Sequence, residues 1–281
     1  MKWTVGALVK RASEILKSRG IKSARLDAEL LLAHALGFKD RVKLYSEFDK
    51  PLTDEEVENY RQLIIRRAKG EPVAYITGKK EFFGFTFRVE KGVLIPRPET
   101  ELLVEIVYEY LKDKEGKTVV DVGTGSGCIA ISLCKLLGAK HRFYGIDISK
   151  IALEVAEKNR KILGCKNVTF FQSDLLEKVD FPVDVVVSNP PYVPLNDAEL
   201  EESVKKFEPA VALFGGKDGL DIIRRLVEES YKKLNNGGLI AVEVGKGQSE
   251  KVKELFKGVG FRNVNSYADL SGIERVVAGV K

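Results

Sequence analysis

From residue 118 onward, short apolar runs alternate with stretches of helical period, and this alternation constrains the fold more than any other feature. The apolar runs are rich in Val, Ile and Phe, as expected of parallel strands that are buried on both faces. They are Val119–Val122, Arg142–Asp147, Val168–Gln172, Val183–Ser188 and Leu239–Val244. Helical patterns follow four of them, at about 127–137, 150–163, 218–234 and 247–258. With strand-like segments at 263–267 and 274–280, the chain predicts a doubly wound α/β sheet of about seven strands.

The first 70 residues lack this alternation and have the pattern of a small helical domain. Apolar residues recur at helical spacing over residues 5–16 and 26–35, which predicts two helices. Thr53 followed by Glu56 is a capping-box signature. It predicts a third helix that runs to about Lys69.

A segment rich in aromatic residues separates the two patterns. Residues 75–89 contain Phe, Tyr and Thr with two glycines between them, a composition typical of a β-hairpin. The predicted organisation is therefore a helical domain over 1–72, a hairpin linker over 73–92 and the α/β domain over 93–281.

Composition and charge narrow the class of protein. A hydrophobic content of 44% with 31% charged residues is typical of a soluble globular chain. Three cysteines without a Cys-x-x-Cys pair, and only two histidines, argue against a disulfide framework or a zinc site. We find neither a signal peptide nor an apolar run of membrane-spanning length, so the cytoplasm is the expected location. The net charge of +5 falls within residues 1–90, where weak attraction to nucleic acid or to an acidic protein stays open beside a plain solvated surface.

A glycine-rich turn, Asp121–Cys128, follows the first strand of the sheet and precedes a helix. Glycines there allow a tight turn and the close approach of a ligand to the backbone. A dinucleotide fingerprint would place its third glycine at position 128, which is Cys, whereas the third glycine here is Gly127. This spacing argues against a pyrophosphate-bearing cofactor. It favours the Gly-x-Gly-x-Gly loop of S-adenosylmethionine-dependent methyltransferases.

Two acidic residues follow the next two strands and are candidates for contacts with a nucleoside. Asp147 ends the second strand, where a carboxylate can accept hydrogen bonds from both ribose hydroxyls. Its alternative role is to cap the helix that begins near Ser149. After the third strand, Asp174 could accept from the adenine amino group and Leu175 could flank the ring. An ordinary turn is an equally good interpretation of Asp174.

The fourth strand ends in Asn189-Pro190-Pro191-Tyr192, a sequence suited to methylating an amino group on a planar, electron-withdrawing carbon. The lone pair of such a nitrogen is delocalised, so acceptors for both of its N–H groups would fix it and favour pyramidalisation. The side-chain oxygen of Asn189 and the carbonyl of Pro190 can supply these acceptors. The prolines stiffen the backbone, and Tyr192 can lie against the substrate plane. Alone, the segment could equally be a turn that ends a strand.

The glycine loop, Asp147, Asp174 and the Asn-Pro-Pro-Tyr segment, in this order, resemble the amino-methyltransferases of the class I (Rossmann-like) fold. The segment Leu94–Glu101 narrows the resemblance, because it is similar to the IPRPETE signature of HemK-type protein-(glutamine-N5) methyltransferases. Proteins of this family methylate the glutamine of the Gly-Gly-Gln motif in peptide chain release factors. The resemblance spans essentially the whole chain, including Glu208–Leu220 after the Asn-Pro-Pro-Tyr segment.

The resemblance implies S-adenosyl-L-methionine as methyl donor, S-adenosyl-L-homocysteine as product and a release factor as protein substrate. It assigns the donor site to Gly123, Thr124, Gly125, Ser126, Gly127, Asp147 and Asn189, and their positions after the third strand add Asp174 and Leu175. It assigns substrate binding to Asn189, Pro190, Pro191 and Tyr192, of which Asn189, Pro190 and Tyr192 are the expected catalytic residues. Arg97 is a further candidate for substrate binding, because helix capping does not account for it. Family members often carry an aromatic residue at the position of Leu175. The segment around Arg97 could also serve to start a helix over 99–112.

The expected reaction is a direct in-line transfer that requires neither a metal nor a cysteine or histidine nucleophile. The N-terminal helical domain is expected to recognise the protein substrate, since the α/β domain has little surface left to define one. No membrane and no stable nucleic-acid partner are expected. One alternative is an adenine-N6 methyltransferase acting on RNA or DNA, with the target base flipped out of its stack. A second alternative is a catalytically silent protein that only binds the donor.

Overall fold

The computed structural model describes residues 3–198 and 200–281. The chain divides into two compact units, residues 1–79 and 80–281. The boundary falls at the first strand of the hairpin, Lys79–Phe82. Within the described ranges, no helix is long and apolar enough to cross a membrane.

The N-terminal unit is helical, as the sequence predicts. Its helices are α1 (Val5–Ser18), α2 (Ala24–Ala35), α3 (Lys43–Ser46), α4 (Asp54–Ala68) and α5 (Val73–Thr77). The capping box at the start of α4 is present, with Thr53 and Glu56 each bonding the backbone of the other. The buried Tyr60 hydroxyl donates to the carbonyl of Ala28 at 3.0 Å and ties α4 to α2. The short helices α3 and α5 are not predicted, because one turn carries too little hydrophobic period to be recognised.

The hairpin is shorter than the sequence suggests. Its strands are β1 (Lys79–Phe82) and β2 (Phe85–Arg88), and the first residues of the predicted 75–89 segment belong to α5 instead. At the turn, the left-handed Phe83 donates its N–H to the Glu101 carboxylate at 2.7 Å. A buried side chain from the α/β sheet domain, Asn159, bonds both backbone groups of Arg88, at 2.7 and 3.0 Å.

The second unit contains the seven-stranded sheet that the strand–helix alternation predicts. Its strands are β3 (Thr118–Val122), β4 (Arg142–Asp147), β5 (Val168–Gln172), β6 (Val183–Ser188), β7 (Leu234–Glu243), β8 (Arg262–Ala268) and β9 (Glu274–Val280). The spatial order is β5-β4-β3-β6-β7-β9-β8. The first five strands of that order are parallel, and β9 is antiparallel to both of its neighbours. The order reverses between β3 and β6, where open α/β sheets bind their ligands at the carboxyl ends of the strands.

Helices cover both faces of the sheet because alternate strand residues point to opposite sides. The helices of this unit are α6 (Glu101–Leu111), α7 (Cys128–Leu137), α8 (Lys150–Leu163), α9 (Glu202–Phe207), α10 (Asp221–Lys233) and α11 (Ser249–Val259). On one face, Val119 and Val185 pack with residues of α6 and α7. On the other face, Val120 and Val186 pack with residues of α10 and α11. These two apolar layers hold the carboxyl ends of β3 and β6 side by side.

Gly145 in the middle of β4 is required by the packing beneath the glycine-rich turn. A Cβ atom at this position would lie 2.3 Å from the Phe170 ring and 2.7 Å from the Thr124 hydroxyl oxygen. Neither neighbour lies at the end of a long flexible chain, so the added carbon forces the core to shift.

We predict that Gly145→Ala lowers the free energy of unfolding by about 1–3 kcal/mol, the usual cost of overpacking. Gly258→Ala is the matched control. Gly258 lies inside α11 with nothing within 4 Å of the added carbon, so alanine there should be neutral or stabilising by up to about 1 kcal/mol. Chemical denaturation of both variants measures the difference, and equal stabilities would contradict the predicted crowding.

Candidate active site

The glycine-rich turn after β3 has a backbone conformation that residues with a side chain rarely adopt. Gly123, Gly125 and Gly127 have φ angles of 71°, 56° and 81°, in the left-handed region that glycine tolerates best. A Cβ on Gly127 would also lie 2.9 Å from the Ile131 side chain. The turn is anchored to β4 by the N–H groups of Gly123 and Thr124, which both donate to the Ile146 carbonyl, at 2.8 and 2.9 Å.

Asp121, just before this turn, is fully buried. One carboxylate oxygen accepts from the Thr124 hydroxyl at 2.6 Å and from the Ala130 N–H at 3.2 Å. The other oxygen is buried with no hydrogen-bond partner among the described residues. Burial raises the pKa of Asp121 from 3.8 to about 7. The sequence marks this residue only as the acid that precedes the turn, whereas the structure shows that it ties the turn to the start of α7.

Asp147 lies at the carboxyl end of β4, beside the turn. Its carboxylate accepts from the Gly125 N–H at 2.9 Å and from the Ser149 N–H at 2.8 Å, and burial raises its pKa. The side chain that caps α8 belongs to Ser149, whose hydroxyl accepts from Ala152. Asp147 therefore does not cap this helix directly. It orients the turn and keeps carboxylate lone pairs free for a ligand.

A cavity of about 230 Å³ opens beside these groups, and we call it the turn cavity. Its lining includes the predicted donor-site residues Gly123, Thr124, Gly125, Ser126, Asp147, Asp174, Leu175 and Asn189. Gly127 is not among the lining residues; it fits tightly beneath the turn. Asp174 is paired with Arg225 at 3.0 Å, and Leu175 has a left-handed φ of 43°.

Asn189 follows β6, whose last residue is fixed to β3. The Ser188 hydroxyl donates to the Val122 carbonyl at 2.7 Å, directly before the glycine-rich turn. The Asn189 amide donates from Nδ2 to the Thr100 hydroxyl oxygen at 3.0 Å. The Tyr192 hydroxyl donates to the buried Glu243 carboxylate at 3.1 Å.

The backbone of Pro190–Val193 is held by main-chain contacts and by one glutamine. The Gln248 side chain donates to the Tyr192 carbonyl at 2.9 Å, and the Gly215 N–H donates to the Val193 carbonyl at the same distance. A Cβ on Gly215 would lie 2.5 Å from the Pro191 carbonyl oxygen, and one on Gly219 would lie 2.2 Å from that of Tyr192. These glycines are required because another backbone lies against them.

A second cavity, of about 420 Å³, lies on the other side of Asn189, and we call it the tyrosine cavity. Its lining includes Asn189, Pro190, Tyr192, Val193, Arg97, Leu94, Ala212 and Arg275. Pro191 lines the turn cavity instead. Among the described residues, Leu94, Asn189 and Ala212 alone line both cavities, so Asn189 lies at their junction.

Arg97 lines the tyrosine cavity but is already engaged. Its guanidinium forms an ion pair with the buried Glu208 carboxylate and donates to the Ile95 carbonyl at 3.1 Å. Glu208 in turn accepts from the Ile95 N–H at 3.1 Å. Arg97 thus fastens the segment before α6 to the segment before the 3₁₀ turn Ala210–Ala212. Two of its five N–H donors are used in these bonds.

Comparison with known proteins identifies the family. A family model described as the PrmC N-terminal domain matches residues 7–78, and one described as a methyltransferase domain matches residues 113–260. The release factor glutamine methyltransferase of Geobacter sulfurreducens is 43% identical over 279 residues, covering 99% of this chain and 96% of that protein. The protein of the same name from Rhodopirellula baltica is 40% identical over 98% of this chain and 96% of its own length.

The chain belongs to the release factor glutamine methyltransferase family. The predicted resemblance and the class I methyltransferase fold are thereby confirmed. A methyltransferase from Pyrococcus furiosus, 19% identical, superposes with a TM-score of 0.55 over 80% of this chain and 98% of that one. At that identity the likeness shows the shared fold.

The sequence alone did not reveal the residues whose side chains form hydrogen bonds with the Asn-Pro-Pro-Tyr segment. Thr100 appeared only as part of the signature segment, and Glu243 and Gln248 carried no motif at all. Each meets its partner across 51 to 89 residues of sequence. The one signal available was Glu243, which directly follows the buried apolar run 239–242 at the end of β7, an unusual place for a charge.

The N-terminal unit has a surface groove of its own, of about 540 Å³, between α1 and α4. Its floor is apolar and includes Leu8, Ile15, Ile64 and Ile65, and its rim includes Arg11, Arg19, Arg61 and Lys69. Among the described residues, no acidic side chain lines it. The groove therefore combines an apolar floor with a basic rim.

The raised pKa of Asp121 generates a prediction about stability. Its pKa in the folded chain, about 7, lies above its ordinary value of 3.8. Between these values the folded state binds more protons than the unfolded state, so this residue's contribution to stability is complete below about pH 4 and is lost as the pH rises through 7.

Asp121→Asn removes this titration and keeps an acceptor for Thr124 and Ala130. Relative to wild type, the variant should gain stability by up to about 1 kcal/mol per pH unit between pH 5 and 7, then level off. Unfolding titrations at several pH values measure the difference. Asp180→Asn, at an exposed aspartate, is the matched control for the exchange of aspartate for asparagine. A pH-independent difference for Asp121→Asn would show that the carboxyl group is ionised throughout.

Proposed function

We propose that this protein transfers a methyl group from S-adenosyl-L-methionine to the side-chain nitrogen of the glutamine in the Gly-Gly-Gln motif of peptide chain release factors. The observation that carries the proposal is the position of Asn189 at the junction of two cavities. One cavity is lined by the glycine-rich turn and the other by Tyr192. Family membership over nearly the whole chain supports the same substrate. Because release factors act at the ribosome, we assign the reaction to the cytoplasm.

The turn cavity is assigned to the donor. The backbone of residues 123–126 in the turn lies along the amino-acid portion of the donor, and Asp147 accepts from the ribose hydroxyls. Leu175 and Asp174 flank the base, with the Asp174 carboxylate shared with Arg225. Bound there, the donor supplies an electrophilic methyl group on a sulfonium.

The tyrosine cavity is assigned to the glutamine side chain. The Asn189 side-chain oxygen and the Pro190 carbonyl accept hydrogen bonds from the two N–H groups of the amide. Tyr192, held at its hydroxyl by Glu243, packs against the amide plane. Pro191 faces the donor side of the segment, and Arg97 contributes to the wall through its ion pair with Glu208.

The residues of the chain contribute to catalysis by positioning the two reactants. They hold the amide nitrogen about 3–3.5 Å from the methyl carbon and in line with the leaving sulfur. The N–C bond forms as the C–S bond breaks, and the methylated amide nitrogen then loses a proton to solvent. The two acceptors hold the nitrogen in the pyramidal geometry that this attack requires, which is stabilisation of the transition state.

The adenine-N6 alternative is not favoured. The relatives that match over nearly the full chain are named for release factor glutamine methylation. A silent donor-binding role is likewise less well supported, because the glycine-rich turn and Asn189 are both intact and adjacent.

We predict that Asn189→Ala lowers kcat for methylation of a purified release factor by about 10²–10³-fold, since one preorganised acceptor is lost. The change should fall mainly on kcat rather than KM, because the hydrogen bond strengthens as the nitrogen pyramidalises. Asn189→Asp should keep or raise donor affinity and still reduce turnover, because its charge stabilises the sulfonium before transfer. Mass spectrometry of the Gly-Gly-Gln peptide measures the rate.

Asp147→Ala is the contrasting variant. It should weaken donor binding by about 3–6 kcal/mol through loss of two hydrogen bonds to a charged acceptor, at about 1.5–3 kcal/mol each, as measured by calorimetric titration. A release factor whose motif glutamine is replaced by glutamate should not be methylated. Near wild-type methylation rates for both Asn189 variants would contradict the assignment of the Asn-Pro-Pro-Tyr segment to substrate binding.

Recognition of the protein substrate is assigned to the N-terminal unit, residues 1–72 of the predicted organisation. Its groove has an apolar floor and a basic rim, which suits an amphipathic segment with acidic residues on the release factor. Arg19 and Lys69 are exposed on this rim.

Substituting glutamate at both Arg19 and Lys69 should raise KM for the release factor severalfold and leave donor affinity unchanged, because charge complementarity acts on encounter and docking. The matched control for the charge change is the double variant Lys22→Glu and Lys39→Glu. Both lysines are exposed in the same unit and lie outside the groove. Equal KM values for the two double variants would exclude the groove as the docking surface.

A further inference from the structure

We infer that Arg275, together with Arg97, donates hydrogen bonds to main-chain carbonyl oxygens of the polypeptide next to the target glutamine. This inference rests on the proposed glutamine methylation and deepens it, because such contacts select a polypeptide over a free amide. Both arginines line the tyrosine cavity together with Asn189 and Tyr192. The methyl transfer itself uses neither guanidinium group.

The topology of the sheet brings Arg275 to this cavity. It is the second residue of β9, and because β9 runs antiparallel to β7, its first residues lie beside the carboxyl end of β7. The Val244 N–H donates to the Arg275 carbonyl at 2.8 Å and ties these two ends together. Side chains of alternate strand residues share a face. Arg275 therefore shares its face with Val277, which belongs to the apolar layer that Tyr192 packs against.

Each guanidinium is held from one edge by a carboxylate. The Arg275 Nε–H donates to the Asp269 carboxylate at 3.0 Å, and the two side chains are only 19% and 12% exposed. Arg97 is paired in the same way with the buried Glu208. These pairs fix both arginines and offset their charges, so the cavity wall offers N–H donors without an excess positive charge that would repel a sulfonium.

Most N–H groups of the two arginines stay available after these contacts. A guanidinium has five N–H donors in a fixed plane. Within residues 3–198 and 200–281, the Arg275 side chain uses one donor and the Arg97 side chain uses two, which leaves four and three. The cavity that these side chains line is therefore suited to a ligand rich in acceptors, such as an extended main chain.

The chemistry of the transfer determines which oxygens suit these donors. A donor on the amide oxygen of the target glutamine would draw the nitrogen lone pair further into the carbonyl and weaken the nucleophile. The main-chain carbonyls carry no such penalty. The amide nitrogen of a glutamine lies about 5 Å from its own Cα, four bonds away, so its main chain passes close to Asn189 when that nitrogen is in place. Glycines before the glutamine leave the main chain open to the arginines.

The first test is the steady-state kinetics of Arg275→Met in the full-length protein, with S-adenosyl-L-methionine and a purified release factor. Methionine keeps an unbranched stem without donors, and Asp269 still accepts from the Ser271 and Ile273 N–H groups. KM for the release factor should rise about 10–100-fold, the effect of losing a hydrogen bond from a charged group. Because the same bond is present before and during transfer, kcat should change little.

The matched control is Arg262→Met, at an exposed arginine of β8 that lines neither cavity. It should leave KM and kcat unchanged. Donor affinity and melting temperature are measured for both variants, and donor affinity should stay at the wild-type value in each.

The second test removes the acceptors instead of the donors. Two peptides that contain the Gly-Gly-Gln motif carry an alkene isostere, one in place of the peptide bond before the glutamine and one in place of the bond after it. The isostere keeps the shape of the bond and lacks the carbonyl oxygen. With the wild-type enzyme, at least one isostere peptide should show kcat/KM about tenfold or more below that of the parent peptide. With Arg275→Met or Arg97→Lys, that difference should shrink.

The outcomes separate this inference from the proposed function. A folded wild type that does not methylate the release factor overturns the proposed function and the inference with it. An active wild type with equal KM for Arg275→Met and Arg262→Met overturns the inference alone. A lower kcat at unchanged KM does the same, since it indicates a structural role. Isostere peptides methylated as efficiently as the parent also overturn it and point to an anionic side chain as the partner.

Two further outcomes still decide. If Arg275→Met does not fold, Arg275→Lys retains the charge opposite Asp269 but not the planar set of donors, and its KM should rise severalfold. An unchanged KM in a folded Arg275→Lys would then overturn the inference. If the parent peptide is not methylated, the KM values measured on the release factor decide alone.

Discussion

The rest of the site depends on the parallel pairing of β3 with β6. Their register sets Val122 beside Ser188, and the Ser188 hydroxyl closes the pair by bonding the Val122 carbonyl. The next residue of one strand begins the glycine-rich turn, and the next residue of the other is Asn189. Two segments 66 residues apart in sequence are thus brought together by the pairing of the two strands, and the glycine-rich turn and Asn189 become neighbours.

Much of this arrangement could be predicted because its signals are local. Each of these features can be recognised within ten residues of sequence: the apolar runs from β3 to β9, the glycines of the turn and the Asn-Pro-Pro-Tyr segment. Short elements such as α3, α5 and α9 could not be predicted, because a single turn has no period to recognise. The supporting residues Thr100, Glu243 and Gln248 could not be predicted either. Their roles come from tertiary contacts, and apart from the position of Glu243 at the end of an apolar run, nothing in their immediate sequence distinguishes them from surface polar residues.

Two buried carboxyl groups distinguish the site from the surrounding apolar core. Asp121 and Glu243 are each almost completely inaccessible, and each leaves one oxygen without a hydrogen-bond partner among the described residues. Such burial costs stability, and a sheet of this kind could be built from apolar residues alone. The carboxyl groups are placed where backbone and hydroxyl protons must be oriented: Asp121 at the turn, and Glu243 beneath the Asn-Pro-Pro-Tyr segment. In both places, the buried carboxyl group orients the hydroxyl or backbone N–H groups that donate to it, at a cost in folding stability.

The contacts of Gly215 and Gly219 with the segment after Asn189 have a consequence for how the site can change over time. Those contacts are between backbones, so the position of the backbone after Asn189 is set by main-chain packing against two glycines. Side chains that line the tyrosine cavity, such as Val193 and Val204, can therefore be substituted in evolution and change which polypeptide is accepted. On the proposed function, such changes would leave the backbone around Asn189 in place.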